Sequence, residues 1–199
     1  MESAISIGVL GLQGSVAEHL RYIESYGAHS VLVRHPQTLQ DIDALVLPGG
    51  ESTTIGSLMQ QYNFIKPIQQ FAKSGKPILG TCAGMVLLAK KLVTSTSNQY
   101  LPEKSELGLL GLMDLVVCRN AFGRQKDSFE ADLTVSGMDK PYPGIFIRAP
   151  YGIEAGKATK ILSQYAGKIV LAQEDKFMAC AFHPELTGDY RILDLWLKA

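Results

Sequence analysis

One cysteine stands in a setting that suggests chemistry. The motif Gly-Thr-Cys-Ala-Gly at residues 80–84 lies between an apolar run at 77–79 and a helix-like run at 85–91. A reactive residue at a sharp strand-to-helix turn needs small neighbours, so this pattern predicts a nucleophile elbow with Cys82 at its centre. The helix terminus favours the thiolate by only roughly 0.3–1 kcal/mol, and a neighbouring base is therefore required.

His183 is the histidine with the most suitable setting for that base. It lies in Phe-His-Pro-Glu at 182–185, directly after an apolar strand predicted at 177–181. Proline favours extended backbone in the residue before it, so the side chains of His183 and Glu185 can point to the same side. The sequence therefore predicts Cys82 as nucleophile, His183 as base and Glu185 as the carboxylate that orients the imidazole.

The other histidines and cysteines have simpler interpretations. His19 falls in a predicted helix, where we expect a solvated or packing residue. Cys118 and Cys180 lie in apolar strand-like runs and are expected to be small buried hydrophobic residues. There is no Cys-x-x-Cys pair, which argues against structural zinc, and we predict neither a metal nor a cofactor. Three cysteines without a signal peptide favour a reducing, cytoplasmic location.

Length and charge narrow the class of protein. The chain has 199 residues, 46% of them hydrophobic, and we expect one domain spanning 1–199. Lys plus Arg and Asp plus Glu are balanced at 19 each, so charge gives no reason to expect nucleic acid or an anionic membrane as partner. No apolar stretch is long enough to predict a transmembrane span.

Strands and helices alternate along the first part of the chain. This order predicts an α/β fold: a mostly parallel central sheet with helices on both faces. The predicted strands are 5–10, 30–34, 43–47 and 77–79, and the predicted helices are 15–26, closed by Gly27, 53–62, 64–73 and 85–91. From 109 to 182 the β-rich runs at 112–118, 129–135, 144–147 and 169–173 predict an antiparallel extension, followed by a last helix at 189–198. A polar stretch at 93–107 predicts a surface loop.

The carboxyl ends of parallel strands are where active sites of such sheets form, and Gln13, Gly50, Cys82 and His183 all follow predicted strands. We therefore expect these four residues to converge.

Two backbone N–H groups could complete a site for a developing oxyanion. The first belongs to Ala83, which follows the nucleophile, and the second to Gly50 in the Gly49-Gly50 pair, whose peptide can also rotate away. An ordinary turn remains the alternative for the glycine pair. Glu51 and Ser52 could equally well cap the next helix.

Two arginines could bind a substrate carboxylate. Arg119 and Arg148 are suited to bidentate pairing with such a group, although a structural salt bridge is as good an interpretation for either one.

Together these motifs resemble the class I (triad) glutamine amidotransferases, and within them the glutaminase subunits of pyridoxal 5′-phosphate synthases. The elbow and His-Pro-Glu are shared by the whole class. The segments Leu-Gln-Gly at 12–14, Arg-Asn-Ala-Phe-Gly-Arg-Gln at 119–125 and Phe-Ile-Arg-Ala-Pro at 146–150 point to this particular subunit. The resemblance implies a flavodoxin-like three-layer α/β fold.

The resemblance also implies roles. Cys82 would attack the side-chain amide of L-glutamine, with His183 moving the proton and Glu185 orienting it, and Gln13 would lie near the oxyanion site. The substrate would be held by Gly50, Glu51, Ser52, Arg119, Ile147 and Arg148. Free ammonia is mostly protonated in neutral water, so the resemblance implies delivery through a sheltered path to a pyridoxal 5′-phosphate synthase subunit in a hetero-oligomeric complex.

Two other functions remain open at this point. One is an amidotransferase subunit for another pathway, such as histidine or purine synthesis, which the segment at 119–125 disfavours. The other is a non-catalytic member of the same fold with Cys82 as a redox sensor. Glu185 beside His183 disfavours the sensor, because a sensor thiol needs no orienting carboxylate.

Overall fold

The structure is a computed structural model that describes residues 4–93, 108–119 and 128–198. The strands are β1 Ser6–Leu10, β2 His29–Val33, β3 Ala44–Leu47, β4 Ile78–Thr81, β5 Ala89–Val93, β6 Met113–Cys118, β7 Ser128–Leu133, β8 Tyr142–Ile147, β9 Tyr151–Ala155, β10 Lys160–Tyr165, β11 Lys168–Glu174 and β12 Phe177–Cys180. The α-helices are α1 Val16–Tyr26, α2 Ser52–Gln61, α3 Ile65–Lys73, α4 Ala83–Leu88 and α5 Arg191–Leu197, and short 3₁₀ helices span Pro36–Asp41 and Pro184–Leu186.

The main sheet has a parallel half and a mostly antiparallel half. Within the described residues the strand order is β2-β1-β3-β4-β12-β11-β9-β6-β5, with β10 paired to β11. The strands from β2 to β12 pair in parallel, whereas β11 is antiparallel to β12, β10 and β9. β7 and β8 form a separate antiparallel pair. The predicted α/β fold, a mostly parallel sheet with helices on both faces and an antiparallel extension, is confirmed.

Burial explains the central strands. Every residue of β3 and of β4 is buried, as expected where helices cover both faces of a parallel sheet. The helix α1 ends as predicted, because Gly27 adopts φ 94°, a left-handed conformation that glycine takes without a steric penalty. No helix among the described residues has the length and apolar character needed to span a membrane.

The prediction of a helix over 85–91 was wrong at its end. α4 stops at Leu88, and Ala89 begins β5, which pairs in parallel with β6 from Ala89 opposite Met113 to Val93 opposite Cys118. A strand partner outweighs the local helix preference of Lys90 and Lys91.

Two further strands, β9 and β10, were not predicted from the sequence. β10 is rich in polar residues and β9 has only one charged residue, and both are ordered by pairing with neighbouring strands, β9 with β6 and β10 with β11. The surface loop predicted at 93–107 lies outside the described residues except for Val93, which ends β5, and most of the 119–125 segment lies outside them too.

Candidate active site

The predicted elbow forms where β4 meets α4. Cys82 adopts φ 47° and ψ −102°, a conformation that costs free energy in any residue with a side chain and that is typical of nucleophile elbows. The two flanking glycines are required by packing. A Cβ on Gly84 would lie 2.2 Å from the Leu47 carbonyl oxygen, and one on Gly80 would lie 2.5 Å from the Gly84 backbone. The bend therefore depends on both glycines.

His183 and Glu185 lie in the loop after β12, beside the elbow. The His183 backbone N–H donates to the Ile145 carbonyl at 2.8 Å, and the imidazole Nδ1 is 2.8 Å from Glu185 Oε1. Burial of the ring opposes its charge, but hydrogen bonds with Cys82 and Glu185 outweigh that effect and raise the pKa of His183 to about 10. The three predicted residues are thus brought together in the order cysteine, imidazole, carboxylate.

Glu185 is held from behind by α1 and the residue before it. Its side chain is fully buried, and Oε1 accepts a second hydrogen bond from Ser15 Oγ at 2.8 Å. Burial opposes ionisation, yet the contacts with His19, His183 and Ser15 hold the pKa of Glu185 below its usual value. No role was predicted for Ser15 from the sequence, and His19 was expected to be a solvated residue or a residue that packs in the helix. His19 is buried, with Nε2 3.4 Å from Glu185 Oε2.

Beside Cys82 and His183 the surface opens into a cavity of about 320 Å³. Its walls contain every residue predicted for the site except Glu185, which lies behind His183. The lining residues are Gln13, Ser15, Gly49, Gly50, Glu51, Ser52, Cys82, Ala83, Val86, Arg119, Ile147, Arg148, Pro150 and His183.

The Gly49-Gly50 pair is fixed on several sides in this structure. The Gly49 carbonyl accepts the Ser15 N–H at 2.9 Å, and Gln13 Oε1 accepts the Glu51 N–H at 2.9 Å. A Cβ on Gly49 would lie 2.5 Å from His183 Cε1, so the backbone passes directly over the imidazole. The turn therefore belongs to the wall of the site, close to both the base and the nucleophile.

The charged residues of the cavity wall differ in how they are engaged. The Glu51 carboxylate caps α2 by accepting hydrogen bonds from the N–H groups of Thr53 and Thr54. Burial opposes ionisation of Glu51, but hydrogen bonds from these two residues hold its pKa below the usual value. Arg119 Nη2 donates to Thr53 Oγ1 at 2.8 Å and lies 3.3 Å from Glu51 Oε1. Both structural alternatives, the cap and the salt bridge, are therefore realised. Among the described residues the exposed guanidinium of Arg148 forms no ion pair.

The other two cysteines take no part in this arrangement. Cys118 is 1% and Cys180 0% exposed, as predicted, and burial raises the pKa of both thiols. Thiols of this kind are inert.

Fold and site together have the arrangement of an α/β amidotransferase. The comparisons with known proteins agree with that class. Residues 9–199 match the SNO glutamine amidotransferase family. The chain is 50% identical to "Pyridoxal 5′-phosphate synthase subunit PdxT" of Bacillus velezensis over 98% of this chain and 94% of that protein. The chain belongs to the SNO glutamine amidotransferase family.

Solved structures give the same result at the level of the fold. A structure titled "Crystal structure of glutamine amidotransferase" superposes with a TM-score of 0.87 at 38% identity, covering 96% of this chain and 97% of the other. "Structure of PurLQS from Thermotoga maritima" superposes with a TM-score of 0.69 at 14% identity, covering 100% and 99% of the two chains, and shows a shared fold only.

Proposed function

We propose that this protein is the glutaminase subunit of a pyridoxal 5′-phosphate synthase, a single domain that hydrolyses L-glutamine to glutamate and ammonia. The observation that carries the proposal is the row formed by Cys82, His183 and Glu185, of which Cys82 and His183 line the cavity and Glu185 lies behind His183. The relatives at about half identity over nearly the whole chain bear the name of that synthase subunit.

In the proposed reaction Cys82 Sγ attacks the side-chain carboxamide carbon of glutamine. The thiol proton resides on His183, whose positive charge Glu185 supports, and the N–H groups of Ala83 and Gly50 stabilise the oxyanion. His183 then protonates the leaving nitrogen, ammonia departs and a γ-glutamyl thioester remains. Water activated by His183 releases glutamate and restores the thiol.

The amino-acid end of glutamine requires groups that bind a carboxylate and an ammonium. Arg148, unpaired among the described residues, is suited to the α-carboxylate, and the Glu51 carboxylate to the ammonium, with Arg119 holding Glu51 in place. Ser52 and Ile147 also line the cavity, and Gln13 fixes the turn at Gly50 through the Glu51 N–H.

The partner is a synthase subunit that consumes the ammonia in a hetero-oligomeric complex, in the cytoplasm. Rotation of the Gly49-Gly50 peptide would redirect the Gly50 N–H and requires breaking the bond between the Gly49 carbonyl and the Ser15 N–H. We therefore expect the isolated subunit to be weakly active and to be stimulated when the synthase binds.

Glutamate release from glutamine, measured with and without a pyridoxal 5′-phosphate synthase subunit, tests this function. We expect stimulation by the partner, and we expect Cys82→Ala to abolish turnover under both conditions while it still unfolds in a cooperative thermal transition. Normal turnover in Cys82→Ala would refute the nucleophile. A thiol that is oxidised but supports no hydrolysis with any synthase would favour the redox sensor instead.

A further inference from the structure

The two oxygens of the Glu185 carboxylate differ in their hydrogen bonding. Oε1 is 2.8 Å from both His183 Nδ1 and Ser15 Oγ, whereas Oε2 has no hydrogen-bond partner among the described residues. A buried carboxylate oxygen without a partner destabilises the ionised form. The group that lies close enough to offset this cost is His19, whose Nε2 is 3.4 Å from Oε2.

His19 lies in the first turn of α1, and Ser15 is the residue that precedes this helix. The Ser15 carbonyl accepts the His19 N–H at 3.2 Å, and both side chains meet the Glu185 carboxylate. His19 is only 1% exposed, and its Nε2 is 2.9 Å from Thr81 Oγ1. Thr81 is the last residue of β4 and directly precedes Cys82. The imidazole therefore lies between the carboxylate and the strand that ends at the nucleophile.

Burial decides the charge state of His19. The titratable groups that influence it are Glu185, His183 and Glu18, and the two carboxylates favour the charged form, but burial outweighs them and lowers the pKa of His19 below its ordinary value. A neutral imidazole carries one N–H. Because an ionised carboxylate only accepts hydrogen bonds, the tautomer with the proton on Nε2 is the favoured one. His19 thus donates its N–H to Thr81 Oγ1 without carrying a net charge, and the dipole of this N–H lies within 3.4 Å of Glu185 Oε2.

We propose that His19 is a positioning residue of the active site: its imidazole, hydrogen-bonded to Thr81 Oγ1, places a polar N–H within 3.4 Å of Glu185 Oε2 and keeps the carboxylate ionised and aligned behind His183. This inference rests on the roles proposed above for Cys82, His183 and Glu185. His19 does not line the cavity, so it acts on the reaction through Glu185 and not through contact with glutamine.

A pair of substitutions separates the donor from mere packing. His19→Leu removes the N–H but keeps a side chain of comparable bulk, whereas His19→Gln can place an amide N–H near the position of Nε2. Assayed with the synthase subunit, His19→Leu should lower kcat by roughly 10- to 100-fold, because the polar group nearest Oε2 is lost, and should leave the KM for glutamine within about twofold. His19→Gln should recover most of the loss.

The pH profile gives a readout that a packing role would not change. When Glu185 ionises less readily, it supports the imidazolium of His183 less well, so the alkaline limb of kcat should move to lower pH in His19→Leu and return in His19→Gln. At neutral pH iodoacetamide should alkylate Cys82 more slowly in His19→Leu, because a less well supported imidazolium stabilises less thiolate, and the rate should return in His19→Gln. This measurement needs neither glutamine nor partner. Cys82→Ala identifies the alkylated residue.

Tyr22→Phe is the matched control on α1. Tyr22 is also buried, and its hydroxyl bonds the Asp189 carbonyl away from the triad, so this variant should keep the kcat and the pH profile of the wild type. Equal losses in His19→Leu and His19→Gln with an unchanged profile would assign His19 to packing and overturn the proposal, as would wild-type kcat in His19→Leu. Absence of glutaminase activity in the wild type would instead contradict the proposed function, and the alkylation rates would still decide the role of His19.

Discussion

The two sides of His183 are built in opposite ways. Behind the ring, buried Glu185, His19 and Thr81 and half-buried Ser15 form a group joined by contacts of 2.8–3.4 Å. We call this group the rear cluster. In front of the ring, the charged wall of the cavity consists of Glu51, Arg119 and Arg148, all at least partly exposed. We call these three residues the charged rim.

The difference follows from the work that each side does. A group that supports a transient charge acts most strongly where water is excluded and its dipoles are fixed in advance. Groups that admit and release a small polar substrate must be reachable and can be held more loosely. We therefore expect changes in the rear cluster to act on kcat and changes in the charged rim to act on KM.

The largest effect should come from Glu185→Gln. Glutamine has the same shape and can still accept from Ser15 and His183, but it carries no charge to support the imidazolium. We expect kcat to fall roughly 10²- to 10⁴-fold with a nearly unchanged KM for glutamine, measured by glutamate release in the presence of the synthase subunit. A loss expressed mainly in KM would contradict the division between the two sides.

The sequence reveals these two sides unequally. The elbow at Cys82 and the pair His183–Glu185 are local patterns, and their catalytic roles can be predicted from the spacing of a few neighbouring residues. Gly49, Gly50 and Arg119 were identified because they follow predicted strands or match a family segment. For Glu51 a helix cap, and for Arg119 a structural salt bridge, were left open as alternatives to substrate binding. Both contacts are present in the structure.

The rear cluster was harder to recognise, because it depends on contacts between distant parts of the chain. Ser15 and His19 lie 170 and 166 positions before Glu185, and nothing in their local sequence indicates which way α1 packs. The same limit explains the end of α4, where pairing of β5 with β6 overrides helix-favouring residues. Long-range pairing, and not local preference, decided each case.

Gly49→Ala tests the boundary between the two sides. The new methyl group would lie 2.5 Å from His183 Cε1 and 3.4 Å from Cys82 Cβ, so the imidazole or the backbone at residue 49 must shift. Because a misplacement of about 1 Å at reacting groups can cost on the order of 10²-fold in rate, we expect a loss of kcat of that size. A melting temperature near that of the wild type would show that the fold is kept, and a wild-type rate would contradict the close approach.

Arg148→Ala should give a smaller effect of the other kind. Removing one charged partner of the substrate carboxylate should raise the KM for glutamine roughly 10- to 100-fold, with kcat changed much less. Arg148→Lys keeps the charge without the bidentate fork and should be intermediate. An unchanged KM in Arg148→Ala would remove Arg148 from the charged rim's proposed binding role and leave the α-carboxylate to Arg119.

The smallest effect should appear in stability at alkaline pH. The pKa of His183 is about 10 in the folded protein against an ordinary 6.5, so its protonation stabilises the fold fully below pH 6.5, and this contribution is lost as the pH rises towards about 10. Cys82→Ala removes one hydrogen bond that raises this pKa, so its melting temperature should fall less steeply over the same range. In the difference between the melting temperatures of the two proteins, the contributions of the titratable groups that they share cancel.

Arg148→Ala supplies the matching control for this slope, because it changes the charged rim and leaves the contacts of His183 intact. Its melting temperature should follow the pH dependence of the wild type, measured by thermal denaturation from pH 6.5 to 10. If Cys82→Ala and the wild type lost stability in parallel, the thiol would not be what holds the imidazolium. The charge on His183 would then be supported from the rear alone, by the Glu185 carboxylate.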